Sequence, residues 1–120
     1  MTTKTRTFAD RYVELTNARQ YDQLATLFAD DAVFLAPDGR EIRGRDQIGA
    51  FYEKFLPTLT PTLRLASFVE QGDICVYELE ARIRDDADFQ LGAIDHATLD
   101  ADGLVARFAV YTKGPDQKPQ

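Results

Sequence analysis

Residues 89 to 99, Phe89-Gln90-Leu91-Gly92-Ala93-Ile94-Asp95-His96-Ala97-Thr98-Leu99, follow the two-residue period of a β-strand, and this alternation constrains the fold more than any other stretch. Phe89, Leu91, Ala93, Asp95, Ala97 and Leu99 share one face, while Gln90, Gly92, Ile94, His96 and Thr98 share the other. A strand with one apolar face needs a covering layer, so the chain must build a sheet packed on one side. Asp95 is the exception within the apolar set. A carboxylate drawn into such a face without a partner loses its hydration, and it escapes that penalty by keeping its proton and donating a hydrogen bond. A strand twisted or slipped by one residue, or an Asp95 near a wet rim, fits the same letters and stays open as the alternative.

Neighbouring segments supply the rest of the sheet. Thr62 to Val69 is strand-like, and Gln71-Gly72-Asp73 turns the chain into a strand where Cys75, Tyr77, Leu79, Ala81 and Ile83 alternate with Glu78, Glu80, Arg82 and Arg84. The acidic turn Asp85-Asp86-Ala87-Asp88 leads into the opening stretch, and Asp100-Ala101-Asp102-Gly103 leads to a last strand from Leu104 to Lys113. These hairpins predict an antiparallel meander.

The first half has a helical period. Phe8, Tyr12 and Leu15 recur at four and three within Lys4 to Arg19, which turns Tyr12 inward. A short second helix is expected from Tyr21 to Ala29, burying Leu24, Leu27 and Phe28 and ended by Asp30-Asp31. Ala32 to Ala36 reads as a strand stopped by Pro37 and Asp38-Gly39, with Glu41-Ile42-Arg43 returning. Ile48, Phe51, Tyr52, Phe55 and Leu56 mark a third helix, ended by Pro57. Helices first and a meander afterwards predict an α+β fold: a curved, mainly antiparallel sheet wrapped around helices, with an internal apolar pocket. Residues 1–113 are expected to form one domain and 114–120 a tail.

Charge and composition exclude several partners. Fourteen basic against twenty acidic side chains give a net charge of −6, and no segment concentrates Lys or Arg, which argues against nucleic acid and acidic membrane surfaces. No apolar run is long enough to span a bilayer, so a cytoplasmic protein is expected. One cysteine, Cys75, forbids an internal disulfide, and one His with one Cys makes no zinc cage. No glycine-rich phosphate loop and no Gly-x-Ser-x-Gly elbow occurs. Neither metal nor cofactor is expected.

Tyr21-Asp22-Gln23-Leu24, Leu27-Phe28-Ala29-Asp30-Asp31-Ala32 and Gly44-Arg45-Asp46-Gln47-Ile48 resemble the nuclear-transport-factor-like, or SnoaL-like, superfamily. Arg11-Tyr12-Val13, Phe51-Tyr52 and Ile94-Asp95-His96 are similar to its ketosteroid isomerase branch. In that branch a buried Tyr and a protonated Asp donate hydrogen bonds to a steroid carbonyl oxygen as it becomes an enolate, while another Asp shuttles the proton. The resemblance implies Tyr12 as phenolic donor, Asp95 as carboxylic donor and Tyr52 as the hydroxyl supporting Tyr12. It implies a homodimer as well, which the sheet face bearing Val76, Ile94 and His96 among charges also suggests.

One position departs from that pattern. The shuttle Asp would immediately precede Pro37, where this chain has Ala36. Asp38, two residues on, is the candidate substitute base. Phe51, Leu79, Phe108 and Val110 point inward by period and, with Ala36, are candidate walls of an apolar binding site. Two functions follow as expectations. One is a steroid delta-isomerase-like enzyme that moves a proton on an apolar ketone of steroid or polyketide type, through a dienolate held by Tyr12 and Asp95. The other is a non-catalytic small-molecule-binding protein of the same fold, because Ala36 cannot act as a base. His96, on the opposite face from Asp95, reads as a sheet-surface or subunit-contact residue, and Cys75 as a small buried hydrophobe.

Overall fold

A computed structural model describes residues 2–84, 86 and 90–114. Helix α1 (Lys4–Asn17) is followed by a 3-10 helix (Tyr21–Leu27), β1 (Phe28–Leu35), β2 (Glu41–Arg43), α2 (Arg45–Leu59), β3 (Thr62–Gln71), β4 (Ile74–Arg82), β5 (Gln90–Leu99) and β6 (Val105–Lys113). The strands form one curled, unclosed sheet in the order β2-β1-β6-β5-β4-β3. Every pairing is antiparallel except β1 with β6, which is parallel. The expected α+β architecture and the meander β3-β4-β5-β6 are present. Phe89, most of the turn before it and the tail beyond Gly114 lie outside the described residues.

Helix α1 forms where predicted because its start is capped and its apolar stripe has a core to face. The Thr3 hydroxyl accepts from the Arg6 N–H, satisfying one of the free donors of the first turn. Glu70 on β3 accepts from the hydroxyls of both Thr3 and Thr5, fastening that turn to the sheet. Phe8, Tyr12 and Leu15 are buried, as their spacing requires.

Two expected boundaries move. The second helix stops at Leu27, and Asp30-Asp31, expected to end it, lie within β1 with exposed side chains. Phe28 pairs with Val105 of β6 and is wholly buried, while Arg45 holds the segment from the other side by donating to the Phe28 carbonyl at 2.8 Å and pairing with Asp30 at 2.7 Å. Tertiary pairing thus overrides the helical reading, and the register shift between Phe28 and Val33 absorbs the misfit. Helix α2 likewise runs past Pro57 to Leu59. Pro57 forfeits one hydrogen bond near the end of the helix, and the helix closes when the Thr60 N–H reaches the Leu56 carbonyl at 2.8 Å with Thr60 in the left-handed region.

Both helices cover the same sheet face. Their aromatic side chains meet those of the sheet in a cluster of Phe8, Tyr12, Phe28, Phe34, Tyr52, Tyr77 and Phe108. No helix among the described residues is long and apolar enough to cross a membrane.

Candidate functional site

Three elements bring phenols and one carboxyl into that cluster. Helical spacing aims Tyr12 of α1 and Tyr52 of α2 inward, and their hydroxyl oxygens lie 3.0 Å apart in a buried hydrogen bond. Asp95 of β5 is 2% exposed, so the apolar face read from the sequence is its actual environment and the rim alternative fails. Burial pushes its carboxyl up from the ordinary carboxylate range to about 7. Burial also raises the Tyr12 hydroxyl far above the usual phenol range, with the Asp95 charge adding to the shift and the bond from Tyr52 opposing it. Tyr52 shifts upward for the same leading reason, desolvation. All three are therefore neutral hydrogen-bond donors at mildly acid pH, held in a dry setting.

The inner face of β5 changes along its length. Leu99, Ala97 and Asp95 are buried, whereas Ala93 and Leu91 are half-buried. Asp95 therefore stands where the closed core gives way to a partly open apolar wall. Phe51 and Val110 are half-buried on the same side, and Val110 is the β6 residue paired with Asp95. Ala36 and Leu79 are buried, and Phe108 is fully enclosed against the Tyr12 ring at 5.6 Å. Phe51 packs on Phe34 and stacks on the exposed Phe55.

Asp38 is not brought to this cluster. It is exposed, accepts from the Arg40 backbone N–H at 3.0 Å and from Arg40 Nε at 2.7 Å, and its carboxyl is held below the usual range chiefly by the backbone bond. Arg40 in turn lies over the Phe51 ring at 5.6 Å. Ala36 begins the turn, its N–H donating to the Arg40 carbonyl and its carbonyl accepting from Gly39, with its methyl in the core.

A fourth group was not among the site residues expected from the sequence. Tyr77 of β4 is directly opposite Asp95 in the register and 1% exposed. Its hydroxyl oxygen is enclosed without a hydrogen-bond partner, although an interaction with the Tyr77 side chain opposes the upward push that burial gives the Asp95 carboxyl. The signal was available: Tyr77 falls on the inward period of its strand, and only the cross-strand register was needed to place it.

Cys75 is fully buried and free, and burial pushes its thiol up to about 12. His96 lies half-buried on the outer sheet face with Nδ1 enclosed and unpaired. Arg64 and Glu80 form a cross-strand ion pair at 2.6 Å, as the charged outer face suggested. Among the described residues no cluster of His, Cys, Asp or Glu could hold a metal ion.

Comparison with known proteins agrees with this architecture. The steroid delta-isomerase of Pseudomonas aeruginosa superposes with a TM-score of 0.75 at 21% identity, over 94% of this chain and 82% of that one. RV0760c of Mycobacterium tuberculosis, in complex with estradiol-17beta-hemisuccinate, gives 0.76 at 18% identity over 92% and 94%. An NTF-2 like protein of unknown function from Burkholderia xenovorans LB400 gives 0.80 at 18% identity over 97% and 88%. At these identities the likeness is one of fold. No curated protein matches the chain. The sequence pattern of the SnoaL-like domain matches residues 9–108, nearly the whole of the core, and the chain belongs to the SnoaL-like domain family.

Proposed function

We propose that this protein moves a proton on an apolar ketone of steroid or polyketide type, through a dienolate whose oxygen is held by Tyr12 and Asp95. The observation that carries the reading is the buried Tyr52–Tyr12 hydroxyl pair in the same dry cluster as a carboxyl that keeps its proton almost to neutrality. A base removes the proton between the carbonyl and the double bond, charge gathers on the oxygen, and the same proton returns at the far end of the conjugated system. Donors fixed beforehand in a dry site stabilise that charge as it develops, by roughly 3–4 kcal/mol per donor in comparable oxyanion holes. Tyr52 supports Tyr12, and the half-buried Phe51 and Val110, with Ala36, Leu79 and Phe108 behind them, form the apolar wall. A steroid-binding relative of the same fold supports an apolar ligand.

The second reading is a small-molecule-binding protein without turnover, favoured by two observations at one hairpin. The resemblance to the ketosteroid isomerase branch would put the shuttle at position 36, where this chain has Ala36, and Asp38, the substitute candidate, is exposed and bonded to Arg40. Ala36→Asp separates the two. With the donors intact, the new carboxylate should raise isomerisation of a β,γ-unsaturated ketosteroid by roughly a hundredfold or more, mainly in kcat. A folded Ala36→Asp variant that binds ligand and shows no turnover would favour the binding protein. A parent already fast, and slowed by Asp38→Asn, would assign the base to Asp38.

A homodimer through the outer sheet face completes the proposal. Val69, Ile74, Ile94 and Tyr111 are 65%, 40%, 44% and 63% exposed on that face, around half-buried Val76 and His96. A second copy of the chain would remove this apolar surface from water.

A further inference from the structure

The buried hydroxyl of Tyr77 is the one polar group beside Asp95 that the oxyanion reading leaves without a task. Tyr77 and Asp95 are directly paired across β4 and β5, which brings their side chains onto one face about 5 Å apart at Cβ. The Tyr77 ring is clamped: Phe68 stacks on it at 6.4 Å and Phe8 is tilted against it at 6.3 Å. Its hydroxyl direction is therefore set by packing, and the oxygen is enclosed with no formed partner. A buried phenol left in that state destabilises the fold unless something takes up its bond.

We propose that Tyr77 is the positioning residue for Asp95, donating to one carboxyl oxygen so that the proton resides on the other, which faces Tyr12 and the ligand. The inference rests on the Asp95 role given above but concerns a different residue and can be tested without ligand. The other ionisable groups packed around Asp95 are Tyr12 from α1, Tyr52 from α2 and Cys75 on β4, all shifted towards their neutral forms by burial. β6 presents Val110 and Phe108 on that side, and the inward neighbours on β5 are Ala93 and Ala97. Tyr77 is thus the group on the strand face able to choose between the two carboxyl oxygens. A donor to the carboxylate also eases ionisation, so Tyr77 keeps Asp95 able to exchange its proton near neutrality instead of locking it as an acid.

The test is the titration of the Asp95 side-chain carbon in the ligand-free, 13C-labelled full chain, its resonance assigned by its loss in Asp95→Asn. Tyr77→Phe keeps the ring and removes the donor, and it should raise the Asp95 midpoint by about one unit. Site-specific 3-fluorotyrosine at position 77, a stronger donor, should lower it. Tyr21→Phe, which removes the other enclosed and unpartnered phenol, should leave it unmoved. An unmoved midpoint in either position-77 variant would overturn the proposal, as would equal shifts in Tyr21→Phe and Tyr77→Phe. Failure of Ala36→Asp to turn over ketosteroid would strike the isomerase reading and leave this result intact.

Discussion

At the scale of single residues, Asp95 shows how an apolar face sets acid–base behaviour. Its folded pKa is about 7 against an ordinary value of 3.8, so between those values the folded chain binds a proton that the unfolded chain has released. The sign follows: Asp95 imposes no penalty below about pH 4, and stability falls as pH rises towards and through 7, by on the order of 4 kcal/mol in all. Asp95→Asn should remove this slope, leaving the variant more stable than the parent at pH 8 by urea denaturation while the two converge near pH 4. Parallel curves from pH 4 to 8 would show that Asp95 ionises as freely folded as unfolded. Glu70 acts in the opposite sense: its carboxyl is held low, first by the Thr3 hydroxyl and then by Thr5, so its contribution is lost as pH falls through its folded value. It is common to both proteins and cancels in the comparison. Asp95 and Tyr12 were legible in the sequence because periods of two and near four assign each a face without knowledge of its neighbours. Tyr77 was legible as an inward-facing residue but not as the partner of Asp95, because that pairing lies in register, which a strand's own letters do not contain.

At the scale of elements, boundaries were less legible than faces. The 21–29 stretch carries a helical pattern, but Phe28 finds a β6 partner and Arg45 a carbonyl and an aspartate, interactions formed only when distant segments meet. Two contacts define how the helices sit. The Thr3 cap starts α1, and Thr3→Ala should cost about 1 kcal/mol of stability, measured by denaturation. Gly49 of α2 is buried, and a Cβ built there would stand 3.0 Å from the Ala25 methyl of the 3-10 helix. Gly49→Val should therefore overpack that contact and destabilise by roughly 1–3 kcal/mol. A variant as stable as the parent would mean that the 3-10 helix gives way at little cost.

At the scale of the whole molecule, the helical layer makes one sheet face the inside and leaves the other to solvent or a partner. Ile94 and Tyr111 are register partners at the centre of that outer face, and both are exposed. Ile94→Glu should convert a dimer to the 13.5 kDa monomer in sedimentation at micromolar concentration. A parent that already sediments as the monomer would refute the interface. His96 belongs to this surface by strand period, an assignment the sequence supported, whereas the argument for a second copy comes from the exposed apolar area around it.

A dienolate site of this kind requires Tyr12 and Asp95 to address one oxygen. The affinity of 2-naphthol, a flat phenol whose anion mimics the dienolate, tests this most directly when measured for the parent, Tyr12→Phe, Asp95→Ala and the double variant. Each single change should weaken binding by about 1–3 kcal/mol through loss of a charge-assisted bond. Because both donors serve the same acceptor, the double variant should depart from the sum of the singles by 0.5 kcal/mol or more, a typical coupling for groups in one network. Unchanged affinity in either single variant, or strict additivity, would contradict a shared oxyanion site.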